Sequence, residues 1–119
     1  YLPPARAVEA DPDLSESLVR SLQAAGKNVT TGVTWTTDGA YKETVEEVRS
    51  YQAEGVKTVE METAALLAVG KVRGVQAAAI CVVGDSLAKM TWDLPEDFGP
   101  VERALKAAYA AAIEVLGDR

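Results

Sequence analysis

The chain has 119 residues, of which 48% are hydrophobic and 25% are charged, and its formal net charge is −6 at pH 7. This length and composition are typical of one globular domain with its own core, and an acidic chain lacks the basic face that a nucleic-acid-binding protein requires. We therefore expect a cytoplasmic protein with no nucleic-acid partner, and the absence of a long apolar stretch argues against a membrane span.

The first third of the chain is predicted to contain a helix and a strand. After a proline-rich loop over residues 1–12, apolar residues at helical spacing predict a helix over about 14–25. Asp13 or Ser15 is expected to cap this helix, and Gly26 to end it. Segment 28–37 is rich in Val, Thr and Trp, which predicts a strand, and a turn follows at residues 38–39.

A second helix is predicted from a capping box. Thr44 is followed three residues later by Glu47, the spacing at which each side chain bonds the other's backbone. Gly55 is expected to end this helix. Its inward-facing residues are expected to be Val45, Val48 and Tyr51.

The second half is predicted to continue the alternation of strands and helices. A short strand over 56–61 precedes a helix over about 63–73 that stops at Gly74, and the apolar run 75–83 is expected to be a central parallel strand covered on both faces. A loop over 86–97, containing Trp92, leads into an Ala-rich helix over about 99–116. The predicted fold class is α/β, with a largely parallel or mixed central sheet in a single domain spanning 1–119.

Carboxylates stand where two apolar strands end. Glu60 and Glu62 share one face of their strand, with Met61 on the other, and Asp85 directly follows the apolar run 75–83. Because ligands bind at the carboxyl edge of parallel sheets, these acids suggest recognition of hydroxyls or proton transfer. The structural alternatives are that Glu62 serves the N-terminus of the next helix and that Asp85 caps a turn.

Other candidate groups are fewer. The sequence contains no histidine and a single cysteine, which excludes histidine-dependent triads and a cysteine-rich zinc site within this chain. Trp35 and Tyr41 are candidates for stacking on a planar base, although such aromatics are more often core residues. Cys81, inside an apolar run, is expected to be inert packing. No glycine-rich phosphate loop of either common pattern occurs.

Three segments resemble motifs of the purine nucleoside and uridine phosphorylase family, which also includes nucleosidases. Segment 59–66 (VEMETAAL) is similar to the family's V-E-M-E-x-A-x-L ribose segment. Segment 82–85 (VVGD) is similar to its V-S-D segment, and segment 36–41 (TTDGAY) to its S-x-D-x-F-Y loop beside the base. Their order and spacing also match.

The resemblance implies a role for each matching residue. Glu62 would accept the ribose hydroxyls, Met61 would pack against the sugar and Glu60 would lie beside the site. Asp85 would be the acid that protonates or hydrogen-bonds N7 of a purine as the base leaves. Tyr41 and the loop around it, including Thr37, would flank the base. The substrates would be a nucleoside and phosphate, with no metal or organic cofactor.

Departures from the family pattern refine this hypothesis. Gly84 replaces the serine before the acid, Ala40 replaces a phenylalanine, and residues 42–44 (KET) stand where uridine phosphorylases carry their uracil-binding Gln and Arg. The first two changes remove hydroxyl support for Asp85 and weaken stacking on the base. The missing Gln and Arg, with Asp85 present, favour a purine nucleoside over uridine.

The resemblance implies the C-terminal half of the family's phosphorylase/hydrolase-like domain, without its phosphate-binding motifs. We therefore expect the chain alone to be inactive, and to pair with a missing N-terminal half or to form a homo-oligomer. A chain that starts at Tyr1 instead of Met agrees with this expectation. A nucleosidase that uses water, or a non-catalytic protein that keeps the fold for binding or assembly, remains the alternative.

Overall fold

The computed structural model describes residues 6–39, 41, 43–91 and 93–117. Over these residues the chain forms four helices and two strands: α1 (Pro12–Ala24), β1 (Thr34–Thr36), α2 (Val45–Ala53), β2 (Thr58–Glu60), α3 (Thr63–Arg73) and α4 (Gly99–Gly117). The strands pair in parallel, with Thr34 opposite Thr58 and Thr36 opposite Glu60. The predicted α/β class is confirmed. Our expectations for residues 1–5, Ala40, Lys42 and Trp92 lie outside the described residues.

Helix α1 begins two residues earlier than predicted. Its N-cap is Asp11, whose carboxylate accepts a hydrogen bond of 2.9 Å from the Leu14 amide, and Pro12 occupies the first helical position. Proline is favoured there because its fixed φ suits the helix and its missing N–H has no partner to lose. The predicted caps Asp13 and Ser15 were therefore wrong, because both lie inside the helix.

Helix α2 carries the predicted capping box. The Thr44 hydroxyl accepts a hydrogen bond from the Glu47 amide, and the Glu47 carboxylate accepts one from the Thr44 amide. The ring of Tyr51 stacks on that of Trp35 with 4.5 Å between centroids, so Trp35 joins β1 to α2 as a packing residue. Val45, predicted to face inward, is exposed, whereas Val48 and Tyr51 are half-buried.

Helix α3 has the predicted bounds. It ends at Gly74, which adopts the left-handed conformation with φ +67°, a geometry that glycine adopts without a steric penalty. Gly70 lies against the following segment so closely that a Cβ there would stand 2.8 Å from the Cβ of Ala77. The absence of a side chain at Gly70 therefore lets the chain fold back directly after the helix.

The apolar run 75–83 is not the central strand that we predicted. Among the described residues, the sheet consists of β1 and β2, and residues 75–83 form no strand. Burial alternates from residue to residue over 78–85: Ala78 and Ile80 are half-buried, whereas Cys81 and Val83 are exposed. Ala78 and Ile80 pack against the cluster between α1 and α4, whereas Cys81 and Val83 on the other side are exposed among the described residues.

The core lies between α1 and α4. Leu14 and Leu18 of α1 pack with Val115 of α4, and half-buried Ala78 and Ile80 pack against this cluster. The opposite side of α4 exposes large apolar side chains, namely Leu105, Tyr109, Ile113 and Leu116. Within the described ranges, none of the helices combines the length and the apolar character needed to cross a bilayer.

Candidate functional site

Glu60, the last residue of β2, anchors the start of α3. One carboxylate oxygen, Oε2, accepts hydrogen bonds of 2.7 Å from the Glu62 amide and 2.5 Å from the Thr63 amide. The other oxygen, Oε1, accepts a hydrogen bond from the Thr36 hydroxyl. Glu60 therefore satisfies amides that the first turn of a helix leaves without intrahelical partners.

Thr36, the last residue of β1, completes this arrangement. Its Oγ1 accepts a hydrogen bond of 3.0 Å from the Ala64 amide while it donates to Glu60. Three successive amides at the start of α3, those of residues 62–64, thus bond to two side chains from neighbouring strands. The carboxylate also lies at the positive end of the helix dipole, which favours its charge.

These contacts lower the pKa of Glu60. Partial burial alone would raise it, but hydrogen bonds from the Thr36 hydroxyl, from the Thr63 amide and hydroxyl and from the Glu62 amide outweigh that effect. Each of these donors stabilises the ionised carboxylate in preference to the protonated form. Glu60 therefore acts as a partly buried structural anion that holds the start of α3.

The lowered pKa predicts that Glu60 contributes to stability in a pH-dependent way. Because the pKa in the folded state lies below the unfolded value, the contribution is present above about pH 4.5 and is lost as the pH falls through the folded pKa. At neutral pH, Glu60→Gln is expected to lower the free energy of unfolding by about 1–2 kcal/mol, since these charge-assisted bonds are partly screened by solvent.

Urea denaturation at pH 7 and near pH 3 measures this difference. The gap between wild type and Glu60→Gln should shrink at the lower pH, whereas Glu96→Gln, at an exposed loop position, should stay close to wild type at pH 7. A gap that is unchanged between the two pH values would show that the carboxylate's charge does not stabilise α3.

Glu62 and Met61 lie at the surface. Glu62 is the N-cap residue of α3, but its side chain makes no capping hydrogen bond, because Glu60 takes that role. Both side chains are exposed. The structural alternative therefore holds as far as position goes, because Glu62 lies at the N-terminus of α3, although it makes no capping bond there.

The loop after β1 contains Thr37 and Tyr41. Thr37 is 4% exposed, its amide donates to the Glu60 carbonyl at 2.8 Å, and its hydroxyl contacts the backbone of Gly39. Thr37 thus stabilises the turn from within. Tyr41 is 88% exposed, so its ring lies on the surface of this loop.

Asp85 lines an open pocket of about 250 Å³. Val83, Gly84 and Ser86 border it on one side, and Leu94, Pro95 and Val101 on the other. Paired backbone hydrogen bonds of 3.0 and 3.1 Å between Ser86 and Asp93 hold the two sides together. Apolar residues therefore make up much of the lining, and Asp85 and Asp93 are the acidic residues among them.

Glu43 lies close enough to Asp85 to interact with its charge, a proximity that the sequence does not indicate. Partial burial raises the pKa of Glu43, and the negative charge of Asp85 raises it further. These residues are far apart in sequence, so no local motif indicates their proximity. Among the described residues, no group of three or more metal-ligating side chains comes together.

Cys81 lies in the chain between Glu60, with which it interacts, and the pocket at Asp85. Its thiol is exposed, which corrects our expectation of a buried packing residue. Nearby atoms still desolvate it, and this effect together with the negative charge of Glu60 raises its pKa, although a hydrogen bond with the Thr63 hydroxyl opposes the change. Asp85 follows four residues later, within about 14 Å along an extended chain. Segment 81–85 thus runs from the Glu60 anchor to the pocket.

A family model described as the phosphorylase superfamily matches residues 1–116. The match spans β1, β2 and α3, whose ends carry Thr36, Glu60 and Glu62, as well as the pocket at Asp85. The chain therefore belongs to the phosphorylase superfamily. This membership confirms the family resemblance and supports a function of the nucleoside phosphorylase or nucleosidase type.

Proposed function

We propose that this chain binds a purine nucleoside and supports phosphate-dependent cleavage of its N-glycosidic bond, without a metal or organic cofactor. The observation that carries the proposal is that Glu60 and Glu62 have different roles at the start of α3. Glu60 takes up the helix amides, while the neighbouring Glu62 keeps an exposed carboxylate outside the capping network. In this member of the phosphorylase superfamily, the exposed carboxylate of Glu62 can therefore accept hydrogen bonds from the hydroxyls of a ligand.

Glu62 is the proposed ribose-binding residue. A carboxylate accepts hydrogen bonds from both hydroxyls of a vicinal diol, and a hydrogen bond to a charged group contributes about 1.5–3 kcal/mol. Met61, exposed beside it, supplies a polarisable apolar contact for the sugar. Because the Glu60 carboxylate accepts a hydrogen bond from the Glu62 amide, the backbone that carries the proposed acceptor is held in place.

Asp85 is the proposed acid for the leaving base. In the reaction, phosphate oxygen bonds to C1′ of the ribose, the bond from C1′ to the base breaks, and a proton delivered to N7 neutralises the departing purine. The pocket beside Asp85 is slightly smaller than typical small-molecule sites, which suits a base more than a whole nucleoside. Tyr41 is proposed to flank the base, with Thr37 supporting the loop that carries it.

The phosphate site is proposed to come from elsewhere in the assembly. The exposed apolar side chains of α4 and of segment 75–83 favour pairing with another polypeptide, either a second copy or a separate part of the enzyme. In this proposal the chain supplies the ribose and base contacts, and the partner supplies the groups that hold phosphate.

Calorimetric titration of the chain with inosine and with 2′,3′-dideoxyinosine tests the proposal. We expect inosine to bind and the dideoxy compound, which lacks the diol, to bind about 10–100-fold more weakly. Glu62→Gln should weaken inosine binding by a similar factor and reduce the difference between the two ligands, whereas Glu96→Gln should not.

Base release with and without phosphate, measured with the partner polypeptide present, then identifies the reaction. Release that requires phosphate supports phosphorolysis, and release that does not would assign the chain to the nucleosidases. Equal affinity for the two ligands would contradict ribose recognition by Glu62. Binding of neither ligand would reject the nucleoside site and favour a protein that uses the fold for assembly.

A further inference from the structure

The hydroxyl of Thr36 bonds β1 directly to α3. It accepts from the Ala64 amide and donates to Glu60, whose other oxygen holds the amides of Glu62 and Thr63. The position of the first turn of α3 is thus set by a residue that lies 26 positions before Glu62 in the chain.

Thr36 also begins the loop on the other side of the proposed site. The next residue, Thr37, donates its amide to the Glu60 carbonyl at 2.8 Å and supports the turn at Gly39 with its hydroxyl. Tyr41 follows on the same loop. The last residue of β1, Thr36, therefore bonds to Glu60 and is followed directly by the loop proposed to flank the base.

We propose that Thr36 is a positioning residue that couples residues 37–39 and Tyr41 to the start of α3, so that the base-side and ribose-side groups are held in one fixed arrangement. The coupling itself is a property of the contacts among Thr36, Glu60 and Ala64. Its consequence for ligand binding rests on the proposed function, in which Glu62 contacts the ribose.

Thr36→Val isolates the hydroxyl. Valine has a similar shape and suits a strand, but it neither accepts from the Ala64 amide nor donates to Glu60. We expect the amide resonances of residues 62–64 to shift in two-dimensional NMR spectra. We also expect inosine affinity to fall by about tenfold, the effect of roughly one hydrogen bond on an equilibrium constant. Thr36→Ser keeps the hydroxyl and should restore both properties.

Thr34→Val is the matched control. Thr34 lies two residues earlier on the same strand, and its hydroxyl donates to the Thr58 carbonyl at 3.2 Å, so it bonds to β2 instead of to α3. This variant is expected to lose a similar hydrogen bond and some stability. The amide resonances of residues 62–64 and the inosine affinity should nevertheless stay close to those of wild type.

Two results would overturn the coupling. The first is a folded Thr36→Val whose amides at residues 62–64 are unshifted. The second is a Thr34→Val that disturbs those amides and inosine binding as strongly as Thr36→Val does. Failure of wild type to bind inosine would instead reject the proposed function. In that case the amide shifts in Thr36→Val against Thr36→Ser would still decide whether Thr36 fixes the start of α3.

Discussion

Replacement of Asp85 by Asn is expected to lower the rate of inosine phosphorolysis by about 10²–10⁴-fold, the usual contribution of a positioned general acid. Asparagine has nearly the same shape and still donates a hydrogen bond, but it cannot deliver a proton to N7. The pocket beside Asp85 should therefore keep its form, and inosine affinity should change much less than the rate. Base release is measured with phosphate and with every polypeptide that the reaction requires.

A substrate that needs no proton provides the control. In 7-methylinosine, N7 is already methylated and the base leaves as a neutral species, so its cleavage should be nearly unaffected by Asp85→Asn. A similar loss of rate on both substrates would contradict the role of Asp85 as an acid. It would indicate that the carboxylate acts by orienting the substrate or by stabilising positive charge on the ribosyl group.

The second large effect concerns stability. Leu18 is 8% exposed and packs with Leu14 and Val115 between α1 and α4. Leu18→Ala removes three side-chain carbons from this contact and leaves a cavity, which typically lowers the free energy of unfolding by about 2–5 kcal/mol. We expect a loss of at least about 2 kcal/mol in urea denaturation, because the buried core of the chain contains few large side chains.

Leu105→Ala is the matched substitution on the opposite side of α4. Leu105 is 54% exposed, so in an isolated chain its replacement should change stability by about 0.5 kcal/mol or less. A loss below about 1 kcal/mol for Leu18→Ala would contradict the α1–α4 core. A large, concentration-dependent loss for Leu105→Ala would instead show that α4 is covered in an assembly.

Local signals predicted much of the fold. The capping box at Thr44, the helix that ends at Gly74 and the apolar spacing of Leu14, Leu18 and Leu22 each depend on residues within a few positions of one another. One local prediction was wrong because two rules compete at the start of α1. Asp11 followed by Pro12 is a stronger start than Asp13 or Ser15, since proline fixes the first helical residue.

The predictions that failed depend on distant neighbours. An apolar run such as 75–83 indicates that its side chains are buried. A strand also needs hydrogen-bond partners on adjacent strands, and the run itself does not specify those partners. The same limit applies to the candidate site. The sequence indicated that Glu60 and Glu62 were important, but their different environments depend on Thr36, which lies on another strand.

The exposed thiol of Cys81 has a practical consequence. It is the single cysteine of the chain, and it contacts Thr63 at the start of α3 while preceding the pocket segment by a few residues. A fluorophore or spin label can therefore be attached at one known place without removing other thiols. Because the pKa of Cys81 is raised, the reactive thiolate is scarce at neutral pH, and conjugation will proceed faster in mildly alkaline buffer.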